Sequence, residues 1–309
     1  ACAFSARPST RATIASVTML QARLLERVQG GGSGGRRSVS TPERKRPVTE
    51  NGRFLVVGGV GVDTIVRVKA FPREYRDAIL VPPVYDYVGH TGNGVSKGLL
   101  ALGVPVRLID FIGDDAHGRW VLDHYREIGL EFHHLVQDAG TRRSVNLVDE
   151  DGNRMAFYDG RYSAELRMPR DFYLPLFSDG SFAHFSIMNW ARYMLDDARN
   201  AGMQVSTDVH DWDGTNEYHR DFAYGADVVF MSTAGAGTGF RDLMDDIVGN
   251  GRAGIVVATA GSDGSYLLER GGAIQHFPAV PPGGRIVDCN GAGDSFVSAF
   301  LYGYLSGCE

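Results

Sequence analysis

The sequence predicts an α/β fold: a doubly wound, mostly parallel sheet flanked by helices, with a small accessory β-sheet. Short apolar runs of strand length alternate with helical patterns from residue 54 onward, as expected of parallel βαβ units. Glycines, 40 in 309 residues, recur where these runs end and suit many strand–loop–helix junctions. Near the carboxyl end, a glycine-rich turn opens a strongly apolar helix at 290–305.

The overall composition is ordinary for a globular protein, with 43% hydrophobic and 22% charged residues. The net charge of −6 leaves no basic footprint, so a nucleic-acid partner is not expected. The three cysteines have neither zinc nor disulfide spacing, which favours a reducing, cytoplasmic compartment. No apolar run is long enough to cross a bilayer, so no membrane partner is expected either.

Residues 1–52 differ from the rest of the chain. They are rich in Arg, Ser and Thr, and 30–35 is a run of glycine and serine with the composition of a flexible linker. Three interpretations stay open: a disordered tail, an organellar targeting segment, or sequence upstream of the true start. The folded domain is therefore predicted over 53–309.

The domain begins with a buried strand, Phe54–Val57, which runs into glycines. The G-x-G at Gly59 and Gly61 invites comparison with a dinucleotide-binding fingerprint. However, Thr64 stands where the third glycine belongs, and the chain continues as a strand instead of opening a helix. We therefore do not predict a dinucleotide site.

Three β-prone segments interrupt the strand–helix alternation, at about 64–70, 78–88 and 143–159. Asp151-Gly152 is a favourable tight-turn pair, which indicates a hairpin in the last segment. We group the three segments as a small sheet beside the main one. Arg142-Arg143 at its edge is interpreted as a solvated face, with substrate contact as the alternative.

Further strand runs lie at 106–112, 182–186, 204–208, 226–231 and 254–259, followed by a hairpin at 266–277. Helical patterns lie at 95–102, 119–128, 188–201 and 240–248. Ligands of doubly wound sheets bind at the carboxyl ends of the strands. The polar and glycine-rich segments at such ends are therefore expected to share one cleft: Asp63, Gly89–Asn93, Asp208, Thr259–Gly264 and Gly291–Asp294.

The turn at Gly291-Ala292-Gly293-Asp294 carries the clearest chemistry. Unpaired backbone N–H groups at a helix start form an anion site, aided by the helix dipole. An acid there would repel an anion, so Asp294 makes more sense as a base that takes a proton from a hydroxyl during phosphoryl transfer. The alternative is a plain Asn-Gly turn with Asp294 as a helix N-terminal residue.

Several motifs in this order resemble the PfkB, or ribokinase-like, family of carbohydrate and nucleoside kinases, over about Phe54 to Glu309. The turn with its flanks, D-C-N-G-A-G-D-S-F at 288–296, is similar to the family's D-T-x-G-A-G-D-x-F. G-H-T-G-N at 89–93 is similar to its sugar-site loop, with His90 in place of a glycine. I-G-D-D-A-H-G at 112–118 and T-A-G-S-D-G at 259–264 are similar to two further loops.

The resemblance implies a ribokinase-like fold with a β-sheet lid and a kinase that uses ATP and Mg²⁺. Asp294 would be the catalytic base, and the N–H groups of Gly291, Ala292 and Gly293 would form the anion hole. The implied binding residues are, for the sugar, Asp63, Gly89 and Asn93, and for ATP, Thr259, Gly261, Gly264 and Asn290. The acceptor would be a sugar hydroxymethyl group; the alternatives are a nucleoside kinase and a non-catalytic binding relative. Many members also pair through the lid, which implies a homodimer.

The chain departs from the family pattern in two ways. The family's Asn-x-x-Glu magnesium motif should follow the strand at 226–231, but Ser232-Thr233-Ala234-Gly235 stands there. Asp208 is then the candidate for Mg²⁺ by position, and Asp288 is the implied contact for a monovalent cation such as K⁺. The chain also ends one helix after the main motif, so the helices that cover adenine in the family are expected to be lacking; either the sequence is a fragment or the nucleotide site is abbreviated.

Overall fold

The computed structural model describes residues 53–72, 75–178, 180–281 and 289–307. The predictions for residues 1–52 and for Asp288 lie outside this range. Within it, the predicted fold class is confirmed: a large mostly parallel sheet carries helices on both faces, and a smaller sheet stands apart from it.

The large sheet has nine strands in the order β13-β12-β11-β10-β9-β8-β1-β4-β5. All neighbours from β11 to β5 pair in parallel, whereas β12 and β13 form an antiparallel edge. Its strands are β1 Arg53–Val57, β4 Val106–Ile112, β5 Glu131–Val136, β8 Gly180–Ser186, β9 Gln204–Asp208, β10 Val228–Ser232, β11 Ile255–Thr259, β12 Ser265–Glu269 and β13 Gln275–Phe277.

The small sheet, called the lid below, has the order β3-β2-β6-β7. Its strands are β2 Gly61–Arg67, β3 Tyr85–Gly89, β6 Arg143–Val148 and β7 Arg154–Asp159. The predicted strand at 78–88 is wrong in its first part, because only 85–89 pairs with β2. Residues 78–83 are exposed or half-buried and include Pro82 and Pro83, whose missing N–H groups cannot join a ladder.

The helices are α1 Thr91–Ala101, α2 Ala116–Ile128, α3 Arg170–Phe177, α4 Leu195–Asn200, α5 Glu217–Gly225, α6 Thr233–Ala236, α7 Phe240–Asn250 and α8 Ala292–Leu305. The predicted helix at 188–201 is wrong over its first turns, where 188–190 form a loop and 191–194 a 3₁₀ turn. Outside contacts hold this loop, since Tyr218 donates to the Ile187 carbonyl at 2.7 Å and Asn189 donates to the Ala164 carbonyl at 2.6 Å. Among the described helices, none combines the length and apolarity needed to cross a membrane.

Two apolar cores cover the two faces of the large sheet. Along β1, Leu55 and Val57 enter one core while Phe54 and Val56 enter the other, because successive strand residues point to opposite faces. The second core includes Val95 and Leu99 of α1 with Val297 and Leu301 of α8. This packing sets α8, and therefore the turn before it, beside the loop that begins α1.

Candidate active site

The predicted anion-binding turn is built as a helix start. Gly291 takes φ 71°, a left-handed conformation that glycine adopts without strain, and α8 begins at Ala292. Gly291, Ala292 and Gly293 are exposed, and no side chain caps the helix. The Ala292 N–H donates to the Cys289 carbonyl at 3.2 Å, so in this conformation it is engaged within the turn.

Asp294 sits in the first turn of α8 and lies against Gly94 of α1. A Cβ atom at Gly94 would stand 2.6 Å from both Cβ and Cγ of Asp294 and closer still to its Oδ2. Only a residue without a side chain therefore allows the carboxylate this position. The contact is supported from below, where the Ser298 hydroxyl donates to the Asp294 carbonyl at 2.7 Å.

The surroundings of Asp294 favour the neutral form of its carboxyl group. Burial raises the pKa of its carboxyl well above the ordinary value, and the charges of Asp208 and Asp63 raise it further. Arg154 opposes these effects and lowers the pKa. The three predicted site carboxylates, Asp63, Asp208 and Asp294, therefore share one electrostatic environment.

Asp63 lies in the lid at the second predicted position. It is buried, and its carboxylate accepts the His90 N–H at 3.3 Å and a short hydrogen bond from the Ser144 hydroxyl. Burial alone would raise the Asp63 pKa, but His90 and Ser144 together hold it below its ordinary value. Gly89 permits this approach, since a Cβ there would stand 3.0 Å from the Asp63 Cβ. The sequence placed Asp63 at a strand end, whereas it lies within β2.

His90 replaces a family glycine and still adopts a glycine-like backbone, with φ 69°. Such a conformation is uncommon for a non-glycine residue and marks a constrained position. Its Nε2 lies 3.3 Å from Asp63 Oδ1, and its ring centroid is 5.4 Å from that of Tyr158 on β7. The histidine ring thus packs between the Asp63 carboxylate on β2 and the Tyr158 ring on β7.

Asn93 points an unused acceptor into the same region. Its Nδ2 donates to the Val88 carbonyl at 3.0 Å, and its backbone N–H donates to the Gly59 carbonyl at 2.9 Å. Its Oδ1 is buried without a hydrogen-bond partner among the described residues. Buried polar atoms are nearly always paired, so this oxygen is suited to receive a ligand hydroxyl.

Arg154 of β7 is the residue of the lid that reaches the helix start. Its Nη1 lies 3.5 Å from Oδ1 of Asn290, 136 residues further along the chain. Its charge also lowers the Asp294 pKa. From the sequence, Arg154 was only part of the predicted hairpin at 143–159, because no spacing pattern connects two residues so far apart.

The predicted nucleotide loop forms one wall of an open cleft. The cleft has a volume of about 290 Å³ and is lined by Thr233, Gly237, Thr238, Phe240, Arg241, Ala260, Asp263 and Tyr266. Gly261 and Gly264 shape the turn after β11 with φ values of 55° and 102°, and the Thr259 hydroxyl donates to the Met231 carbonyl at 3.3 Å. The opposite wall is formed around Phe240 and Arg241, for which the sequence pattern predicted a helix but no binding role.

Asp208, the predicted magnesium contact, ends β9 and is half-buried. Its Oδ1 accepts the His210 N–H at 2.8 Å, which fixes the carboxylate. Within 53–72, 75–178, 180–281 and 289–307, no group of three or more acidic, histidine or cysteine side chains could hold a metal ion by itself.

These features together define the class. A carboxylate beside an uncapped helix start, buried polar side chains at the base of a β lid, and a separate cleft beyond the β11 loop suit transfer of a phosphoryl group to a small hydroxyl compound. The chain belongs to the pfkB family of carbohydrate kinases, because the sequence model of that family matches residues 55–309. It is a sugar kinase domain.

Individual proteins agree with this assignment. The acarbose 7(IV)-phosphotransferase of Actinoplanes sp. is 38% identical over 262 residues, covering 84% of this chain and 87% of the relative. The fructoselysine 6-kinase of Escherichia coli is 27% identical over 224 residues, covering 70% and 82%. The structure of a microbiome-derived acarbose kinase is similar at a TM-score of 0.78 and 47% identity, covering 84% of this chain and 87% of that one.

A more distant structure supports the fold alone. The ribokinase of Arabidopsis thaliana, solved with ribose and ATP, matches with a TM-score of 0.67 at 19% identity and covers 84% of this chain and 88% of that one.

Proposed function

We propose that the protein transfers the γ-phosphoryl group of ATP to a hydroxymethyl group of a sugar, with Asp294 as the base. The observation that supports this proposal is the position of Asp294, which packs against Gly94 beside an uncapped helix start. The pKa of its carboxyl is also raised. A raised pKa improves a carboxylate as a proton acceptor, and a positioned base contributes about 10²–10⁴-fold to the rate.

The acceptor is held by the lid and the loop after β3. The ionised carboxylate of Asp63 accepts hydrogen bonds from sugar hydroxyls, and the unpaired Oδ1 of Asn93 accepts a further one. Gly89 has no side chain and lets the sugar ring approach the backbone beside Asp63. The resulting pocket orients one hydroxyl towards Asp294, which turns a bimolecular encounter into an aligned transfer.

The developing phosphoryl charge is stabilised at the start of α8. Backbone N–H groups of Gly291, Ala292 and Gly293 supply the anion hole, and the Ala292 N–H must leave the Cys289 carbonyl to take part. Arg154 lies beside this turn and brings a positive charge from the lid. Closure of the lid would thus complete the charge stabilisation and exclude water at the same time.

The cleft between Ala260 and Arg241 is the nucleotide site in this proposal, with the phosphates directed towards the turn at Asn290. Bound magnesium neutralises phosphate charge in such reactions. Asp208 is the carboxylate that we assign to it, since it ends β9 at the carboxyl edge of the large sheet, where ligands of such sheets bind. Thr259, Gly261 and Gly264 act by shaping the loop that carries Ala260 and Asp263.

We take acarbose as the first candidate acceptor. The 38%-identical curated relative and the 47%-identical solved structure are both named for acarbose phosphorylation. The 27%-identical relative is named for fructoselysine, which makes that compound the second acceptor to try.

The proposed assembly is a homodimer formed through the lid. β7 is an edge strand whose six residues are all exposed, and Met155 and Phe157 offer apolar surface on the same side of it. An exposed apolar edge strand is a template for pairing with another chain.

An acceptor panel tests the proposal. The protein is incubated with ATP, Mg²⁺ and, in parallel, K⁺, with acarbose, fructoselysine, ribose or inosine as acceptor. Phosphorylated product is measured by mass spectrometry and ADP by a coupled assay. We expect a phosphorylated sugar. Product from inosine alone would favour the nucleoside alternative, and binding without any product would favour the non-catalytic one.

A further inference from the structure

A buried ion pair lies at the base of the lid. Arg142, which precedes β6, contacts the carboxylate of Asp110 on β4, and the two side chains are 1% and 0% exposed. From the sequence, Arg142 was expected on a solvated face, with substrate contact as the alternative. The solvated face is wrong for Arg142, because its side chain is buried and its partner carboxylate lies on a strand of the large sheet 32 residues away.

The pair holds the segment through which the chain crosses from the large sheet into the lid. This crossover, residues 58–60, follows β1 and leads into β2. The Val60 N–H donates to Asp110 Oδ2 at 2.8 Å, and the Val62 N–H donates to the Arg142 carbonyl at 3.0 Å. One bond is made by the Asp110 side chain and the other by the Arg142 backbone, so the ion pair links the two residues that hold alternate positions of the chain where it changes sheets.

The acceptor residues are attached to the same segment. Asp63 directly follows Val62, and the Asn93 N–H donates to the Gly59 carbonyl at 2.9 Å. The Ser186 hydroxyl donates to the Gly58 carbonyl at 3.2 Å and ties the segment to the end of β8. A small displacement of the crossover would therefore move both predicted sugar ligands relative to Asp294.

The guanidinium is poorly satisfied for a buried cation. One Nη atom contacts the Met188 sulfur, a weak acceptor, and the group lies 5.0 Å from the ring centroid of Tyr162. Its Nε has no hydrogen-bond partner among the described residues. A buried ion pair with incomplete hydrogen bonding is a weak source of stability compared with well-packed apolar residues. Its contacts with the crossover suggest a role in position instead.

We propose that Arg142 and Asp110 are positioning residues that hold the lid crossover so that Asp63 and Asn93 present the acceptor hydroxyl to Asp294. This rests on the proposed kinase function. Loosening the pair should raise KM for the sugar and increase ATP hydrolysis without sugar, because the acceptor is misaligned and the lid admits water. KM for ATP should change little, since the Arg241 cleft lies on other elements.

The test compares Arg142→Met, Asp110→Asn and the double variant. Each single change leaves a buried group without its partner and should lower Tm. The double variant removes both charges, and the amide introduced by Asp110→Asn keeps one oxygen for the Val60 and Phe111 N–H groups, which both donate to Asp110, so Tm should recover in part. We expect kcat/KM for the sugar in the double variant to remain about 10²-fold below the wild-type value. A double variant with wild-type sugar KM and hydrolysis ratio would overturn the proposal.

A matched control lies on the same strand. Arg107 of β4 forms an ion pair with Glu131 at 2.9 Å, at the opposite end of β4 from the crossover. Arg107→Met should lower Tm without changing the sugar KM. An equal kinetic loss in this control would mean that the effect is general destabilisation, and the proposal would fail.

Amide hydrogen exchange separates failure of this inference from failure of the kinase proposal. Exchange at the Val60 and Val62 N–H groups should be faster in all three crossover variants, whatever the acceptor, and unchanged in Arg107→Met. Unchanged exchange in the crossover variants would refute the positioning role even if no acceptor is found. Absence of turnover in the wild-type protein would count against the proposed function alone.

Discussion

Replacing Gly94 by alanine should disable the proposed base while leaving the fold intact. The added Cβ would stand 2.6 Å from Cβ and Cγ of Asp294, whereas ordinary contact begins at 3.4 Å, so the Asp294 side chain must retreat by about 0.8 Å (3.4 − 2.6). A misplacement of about 1 Å can cost about 10²-fold in rate. We therefore expect kcat to fall by about 10²-fold with little change in KM for ATP.

The helix that carries Gly94 should tolerate the change. Alanine is favoured over glycine in a helix by about 1 kcal/mol, which offsets part of the steric cost. Gly249 of α7 is the matched control, because a Cβ there meets nothing within 4 Å. Gly249→Ala should raise Tm slightly and leave kcat unchanged.

The assay is steady-state kinetics with the best acceptor of the panel, together with thermal unfolding of both variants. A Gly94→Ala protein that is folded and retains near wild-type kcat would refute the reasoning. In that case, the close packing of Asp294 against α1 would have no part in aligning the base.

Three further predictions concern charge and assembly. Asp294→Asn should raise Tm at neutral pH, because the native pKa of Asp294 lies above its unfolded value and ionisation therefore costs stability as pH rises. Each unit of difference between the two pKa values corresponds to about 1.4 kcal/mol of stability. The variant also loses the favourable interaction of an acid with the helix start, which offsets part of this gain. The gain should fade as pH falls towards the unfolded pKa, and a lower Tm for the variant at neutral pH would contradict it. Arg154→Met should shift the acidic limb of the pH profile of kcat to higher pH, because Arg154 lowers the Asp294 pKa. Arg154→Lys keeps the positive charge and should shift this limb less. An acidic limb at the same pH in Arg154→Met would argue against the interaction between Arg154 and Asp294. Phe157→Lys should convert the proposed dimer to a monomer in light scattering, and a wild-type monomer would remove the lid interface from consideration.

Local patterns in the sequence predicted much of the fold and the helix-start turn. Strand and helix periodicity predicted the alternation of the large sheet, and the glycines at 291 and 293 with the acid at 294 predicted the start of α8. Such features depend on neighbouring residues, so they are visible without a structure. The glycine-rich turn after β11 was predicted for the same reason.

Contacts between distant segments could not be predicted. The packing of Gly94 against Asp294 joins residues 200 positions apart, since 294 − 94 = 200. Arg142 looked like a solvated charge because its partner, Asp110, is buried inside an apolar strand. The Arg241 wall of the cleft belongs to a helix whose sequence pattern indicates only packing.

The most direct test of the account measures a single turnover by Asp294→Asn with saturating ATP, Mg²⁺ and the best sugar acceptor. We predict that ATP and sugar bind as in the wild-type protein, while phosphoryl transfer falls by about 10²–10⁴-fold. Transfer at a wild-type rate in a variant that binds both substrates would contradict the assignment of Asp294 as the base.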